Sequence, residues 1–248
     1  MIKKLFPIFI LFCVMIGVKA ENVNYFVIGS TAAPFQIEEN GKNHRGIITD
    51  IMNEVFQGLE KYNLVTHTLP FKRYIKELKR QQSWITYGSD SWTGPQSWNI
   101  SQEGLFEVNH VFLTKKKHKF SKVSDLFNKR IVLITGFEYP ELDQYIKSGR
   151  IKTIRVANHE AAISAIQKDR GLAFPEMEIR VKYHLKSMGL NFDRFAFSTI
   201  KDVLKTYKIN LAFSRNFNHK LQLKIEKGLK SMKKSGKIKE IIRKYSEL

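Results

Sequence analysis

Every tryptophan of the chain falls between positions 84 and 98, in a stretch that carries Trp84, Tyr87, Gly88, Ser89, Asp90, Ser91, Trp92, Gly94, Pro95 and Trp98. Aromatic faces beside neutral hydroxyls and one carboxylate suit a ring, a sugar-like molecule or a cation. Trp92 occupies the most turn-rich part and reads either as a pocket wall or as packing, whereas Trp84 and Trp98 read as packing. Asp90 either pairs with a ligand ammonium or caps the nearby turn. For proton transfer, Asp90, His110, Glu138 and Glu176 are the only nominees. No nucleophile motif or dense metal-ligand cluster accompanies them, and no catalytic residue, metal or cofactor is assigned.

Such residues need a scaffold, and the surrounding pattern alternates strands with helices. Asn24 to Gly29 reads as a strand that runs into Ser30-Thr31-Ala32-Ala33-Pro34-Phe35, a small-residue loop of the kind that commonly holds a ligand. After the turn Glu39 to Lys42, a helix carries Ile48, Ile51, Met52, Val55, Phe56 and Leu59 at the 3.6-residue period. Thr66 to Leu69 is a short strand, and Pro70 opens a helix with Phe71, Tyr74, Ile75 and Leu78 on one face. The alternation returns with strand Arg130 to Thr135, helix Pro140 to Ile146, strand Ile154 to Val156, helix Asn158 to Lys168 and strand Leu172 to Phe174. This order predicts parallel sheets covered on both faces. Glu107 to Lys116 and Tyr207 to Ser214 read as extended crossings between the two blocks. Leu221, Ile225, Leu229 and Met232 mark one closing helix, Gly236 a stop, and Ile238, Ile241, Ile242 and Tyr245 a second helix.

The amino end reads as a secretory signal peptide: a basic start at Lys3-Lys4, 14 apolar-rich residues from Leu5 to Val18, and cleavage expected after Ala20. That run, interrupted by Pro7, falls short of the ~20 residues of a permanent anchor. The one cysteine, Cys13, lies inside it, so the exported chain is expected to have no thiol. Of the 42 basic side chains, Lys3, Lys4 and Lys19 leave with the leader, so 39 face 23 acidic ones over 228 residues, a net charge of +16. The lysines are spread along helical stretches, which fits a solvated basic surface and no nucleic-acid partner. A chain of this length buries roughly 70% of its unfolded surface, as one large or two modest domains, without disulfides.

Taken in order, Ala33-Pro34-Phe35, Gly46-Ile47-Ile48-Thr49-Asp50-Ile51, Leu69-Pro70-Phe71-Lys72-Arg73, Leu133-Ile134-Thr135-Gly136 and the ending Ser235-Gly236-Lys237-Ile238 through Lys244-Tyr245 resemble the bacterial extracellular solute-binding proteins of family 3. The resemblance implies an α/β, two-lobed periplasmic binding fold of type II, with two hinge strands and a ligand closed between the lobes. Lobe one is expected at 21–112 and 208–248, and lobe two at 113–207. It implies a monomer that captures a small polar solute, whether amino-acid-like, amine or cyclic, for an ABC permease or a sensor. An enzyme on the same fold, like the cyclohexadienyl dehydratases, and a basic protein binding wall polymer are the alternatives.

Site residues follow from the same resemblance. Phe35 closes the first ligand loop, and Tyr87, Ser89, Asp90, Ser91 and Trp92 line the cleft. Arg73 stands in the first turn of a helix whose counterpart borders the cleft. There a cation opposes the helix dipole and needs a partner, either an anionic ligand group or Glu77 one turn on. Gly136, Phe137 and Glu138 form a ligand-facing turn whose backbone N–H groups can receive an anion. Glu176, with Glu178 as a rival in register, stands where the family places an acid for a ligand amine. The chain also departs from the pattern: members that bind α-amino acids carry an arginine that grips the ligand carboxylate, and here positions 81–114 hold no lysine or arginine. An ordinary amino-acid ligand held in the ordinary way is put in question by that gap.

Overall fold

The computed structural model describes residues 20–246, apart from 30, 42, 81, 93–97, 119, 201, 202 and 204. Residues 1–19 of the leader expected at 1–20, and Gly94 and Pro95 of the aromatic stretch, lie outside the described residues. In chain order the first block runs β1 (Glu21–Ile28), β2 (Ile37–Glu39), β3 (Asn43–Arg45), α1 (Ile47–Gln57), β4 (Tyr62–Leu69), α2 (Phe71–Leu78), β5 (Ile85–Gly88), β6 (Trp98–Ile100) and β7 (Phe106–Val108). The second block runs β8 (His110–Lys115), β9 (Arg130–Ile134), α3 (Pro140–Lys147), β10 (Lys152–Val156), α4 (His159–Gln167), β11 (Phe174–Met177), α5 (Glu178–Ser187) and β12 (Phe195–Ser198). The chain then returns through β13 (Tyr207–Ser214) and ends with α6 (His219–Ser235) and α7 (Lys237–Ser246).

One sheet has the order β4-β1-β5-β13-β6, with β7 also on β13; β11-β8-β12 and β10-β9 build the other half, linked by a bridge between Ile131 and Ala173. The sheets are mixed, which corrects the expectation of parallel ones. β1 runs parallel to β4 and β5, and β9 to β10, but β13 is antiparallel to β5, β6 and β7, and β8 to β11 and β12. Parallel neighbours require a crossover connection, usually a helix, whereas the two crossing strands enter the opposite half directly and pair in either sense. The strand expected at 172–174 lies two residues further on, because Phe174 to Met177 pair with Leu113 to His110.

Each half has its own apolar centre. In the first, Ile47, Ile48, Ile51, Met52, Val55 and Phe56 of α1 are buried at the spacing read from sequence, each worth roughly 1.5–3 kcal/mol once out of water. Gly46 starts this helix with φ 118°, and a Cβ there would sit 2.6 Å from the carbonyl oxygen of Phe35, so the ligand loop and α1 meet only through a glycine. Gly236, with φ 80°, ends α6 in the left-handed conformation. On α2, Tyr74 and Leu78 are buried as expected, but Phe71 is 44% exposed.

The element that ties the halves together is α5. Val181 and Leu185 pack into the second core, while Ile179 and Tyr183, with Met177 just before them, pack against the first. The same helix touches α7. The two crossings are also bonded to each other at their waist, where Thr206 Oγ1 and Asn109 Oδ1 are 3.0 Å apart.

Candidate functional site

The ring-bearing residues converge where the halves meet. β5 ends with Tyr87, which is buried, and its ring lies 5.7 Å from those of both Phe35 and Trp92. Trp92 then meets Tyr207 edge-on at 6.1 Å, and Tyr207 lies 5.2 Å from His110. The wall therefore draws on the loop that carries Phe35, the end of β5 and both crossing strands. Burial raises the hydroxyl pKa values of Tyr87 and Tyr207, so both are neutral donors and acceptors at neutral pH. Burial also lowers the pKa of His110, whose Nδ1 is enclosed without a hydrogen-bond partner.

Opposite this wall, the second half contributes a buried polar cluster. Glu176, 5% exposed, pairs through Oε2 with His159 Nε2 at 3.0 Å and accepts from the backbone N–H of Met177 at 2.8 Å. Burial pushes its pKa up, but the His159 bond, the Arg180 charge and the backbone bond outweigh burial and hold it at about 2. The His159 ring stacks on His184 at 4.4 Å and 6°. His184 Nδ1 lies 2.9 Å from Glu160 Oε1, and its Nε2 is enclosed without a hydrogen-bond partner. Burial, then the neighbouring His159, lower its pKa to about 4.

Arg180 joins the two sides. It is 6% exposed on the first turn of α5; its guanidinium carbon stands 4.9 Å from the centre of the Phe35 ring, and Nη2 donates to the Tyr87 hydroxyl at 3.5 Å. A cation thus reaches the aromatic wall from the second half of the chain.

The sequence-derived residues divide accordingly. Phe35, Tyr87, Trp92 and Glu176 stand in this junction or border it. Phe137 is half-buried and meets His159 edge-on at 5.9 Å. Ser89 is buried and accepts from the Ser91 N–H at 3.2 Å, with Asp90 Oδ1 3.4 Å from both serine hydroxyls. Asp90 therefore binds its own turn. Gly136 takes φ 87° in an exposed turn; the N–H groups of Thr135 and Phe137 are spent on Val156 and Ile134, and Glu138 is exposed. Arg73 is 68% exposed, and its ion-pair partner is Glu77 at 3.9 Å, which Arg80 also holds at 2.9 Å. Glu178 turns instead to Lys182 at 2.6 Å. Trp84 is fully buried, stacked 6.3 Å from Phe26 and edge-on to Trp98. Arg180, Tyr207 and His159 were missed; an arginine four residues after Glu176, in the span that follows β11, was the available signal.

The model of the bacterial extracellular solute-binding proteins, family 3, matches residues 26–247, and the chain belongs to that family. It is a solute-binding protein of the two-lobed kind. No curated protein sequence matches it significantly. Among solved structures it is similar to the substrate-binding protein of an amino acid ABC transporter, at 19% identity and TM-score 0.67, over 92% of this chain and 100% of that one. A probable amino-acid ABC transporter extracellular-binding protein from Bacillus subtilis gives 14% identity and TM-score 0.75, over 92% and 98%. The arginine-, lysine-, histidine-binding protein from Geobacillus stearothermophilus gives 18% and 0.67, over 91% and 95%. At these identities the likeness carries the fold.

Proposed function

We propose that this protein is exported, acts as a monomer, and closes its lobes, divided near 112 and 208, on a small polar solute that it hands to an ABC permease or a sensor. The observation that carries this reading is the junction itself: Phe35, Tyr87, Trp92 and Tyr207 on one side, with Glu176 and Arg180 on the other. Rings and neutral hydroxyls give contact area, and the opposite charges orient a polar guest. Solute that touches both sides favours the closed state by its differential affinity for that state. The structurally similar proteins include binders of amino acids, and an amino-acid-like, amine or cyclic solute suits this wall.

Capture without chemistry is the better reading of Glu176. A carboxylate with both oxygens engaged and a pKa held at about 2 is poorly matched to proton transfer near neutral pH. Thermal unfolding of the exported form against amino acids, amines, sugars and cyclic acids tests the reading, since a solute at 100 times its Kd adds about 2.7 kcal/mol. A shift confined to one chemical class and lost in Trp92→Ala supports capture; no shift with any class refutes it.

A further inference from the structure

Arg180 is a buried cation with an incomplete set of partners. Its Nε is enclosed without a hydrogen-bond partner, and the hydrogen bond from Nη2 to Tyr87 is long at 3.5 Å. A guanidinium carries five N–H donors in a rigid fork that matches a carboxylate in two parallel bonds. The two acids just before it do not fill that fork: Glu178 turns to Lys182, Glu176 spends its oxygens on His159 and the Met177 N–H, and no ion pair to Arg180 exists among the described residues. The Glu176 charge acts on Arg180 only at a distance, a buried guanidinium with unfilled donors is unfavourable, and arginine, unlike lysine, does not escape by losing its proton. On the facing wall the enclosed His110 Nδ1 is likewise unpartnered.

We propose that the captured solute carries a carboxylate held by the Arg180 fork, with a ring or apolar body against Tyr87, Trp92 and Tyr207. This rests on the solute-capture reading and narrows it to small cyclic or aromatic acids. The anion anchor comes from α5 in the second half, so the acid itself completes the contact between the lobes. The Phe35 ring lies against the guanidinium, 4.9 Å from its carbon, and stabilises the cation there.

The test is titration calorimetry of the full exported form with benzoate, phenylacetate, indole-3-acetate and cyclohexanecarboxylate, each beside its primary amide, with glucose and putrescine as neutral and cationic probes. At least one acid binds, and its amide binds roughly 100-fold more weakly, as expected when a charged bidentate pair becomes a neutral one. Arg180→Met weakens that acid by a similar factor, and Arg180→Lys, which keeps the charge without the fork, by about tenfold. Both variants are first checked for native folding without solute by circular dichroism, because the Arg180 charge also supports the buried Glu176 carboxylate. Equal binding of acid and amide, acid affinity unchanged in both variants, or no binding by any of the four acids overturns the proposal. If glucose or putrescine binds while no acid does, solute capture stands and the carboxylate assignment falls.

Discussion

Replacing Glu176 by glutamine removes the charge that the buried cluster is arranged to hold. Its pKa falls from an ordinary 4.5 to about 2 on folding, and a shift of that size corresponds to about 3 kcal/mol of stability. Because the folded value is the lower one, this contribution is complete above pH 4.5 and is lost as the pH falls through 4.5 towards 2. Urea unfolding at 25 °C should place Glu176→Gln about 3 kcal/mol below wild type at pH 7, and the gap should narrow to about 2 kcal/mol by pH 3.5, where the unfolded wild type is already protonated. Taking the difference between the two proteins cancels the titrating groups that do not interact with Glu176. A variant as stable as wild type at pH 7, or a gap that stays constant between pH 7 and 3.5, refutes the assignment of Glu176 as a stabilising carboxylate.

Three further outcomes follow from single features. His184 is held at about 4 by burial and by His159, so the unfolded chain binds its proton first and stability falls as the pH drops from about 6.5 towards 4. His184→Phe, which keeps a ring on His159, should flatten the denaturation slope over that window, and an unchanged slope would remove His184 from the account. Gly46→Ala should cost at least about 2 kcal/mol and Gly236→Ala about 1 kcal/mol, since both have positive φ but only Gly46 is crowded, 2.6 Å from the Phe35 oxygen; equal losses in melting would contradict that difference. Asn158 caps α4 by accepting from the Ala161 N–H at 2.9 Å, and Asn158→Ala should cost about 1 kcal/mol in the same assay.

The regular parts of the fold were legible because one-sided burial imprints a period on the chain. α1, with one stripe facing one core, was read nearly residue for residue, and Gly236 marked its turn because only a glycine adopts that conformation cheaply. The helix α5 was not read at all. It buries Val181 and Leu185 in one core and Ile179 and Tyr183 against another, so its apolar residues circle the axis and leave no stripe. The most informative residue of the site, Arg180, sits on that helix. Sequence showed that the span 81–114 lacks a cation, but what fills the junction depends on how the two halves are brought together, which a local pattern does not encode. Arg73 was misleading for a related reason: its unfavourable place at a helix start called for a partner, and Glu77, on its own helix, supplied one.

The central claim is that a solute brings the lobes together, and the distance between them reports it most directly. Cys13 is the chain's one cysteine and lies in the expected leader, so spin labels on Lys79→Cys and Lys147→Cys, both at exposed helix ends on opposite halves, are specific. Pulsed electron-spin distance measurement should show a broad distribution without solute that narrows and shortens with any solute that raises the melting temperature. A distribution unchanged by such a solute would contradict capture between the lobes.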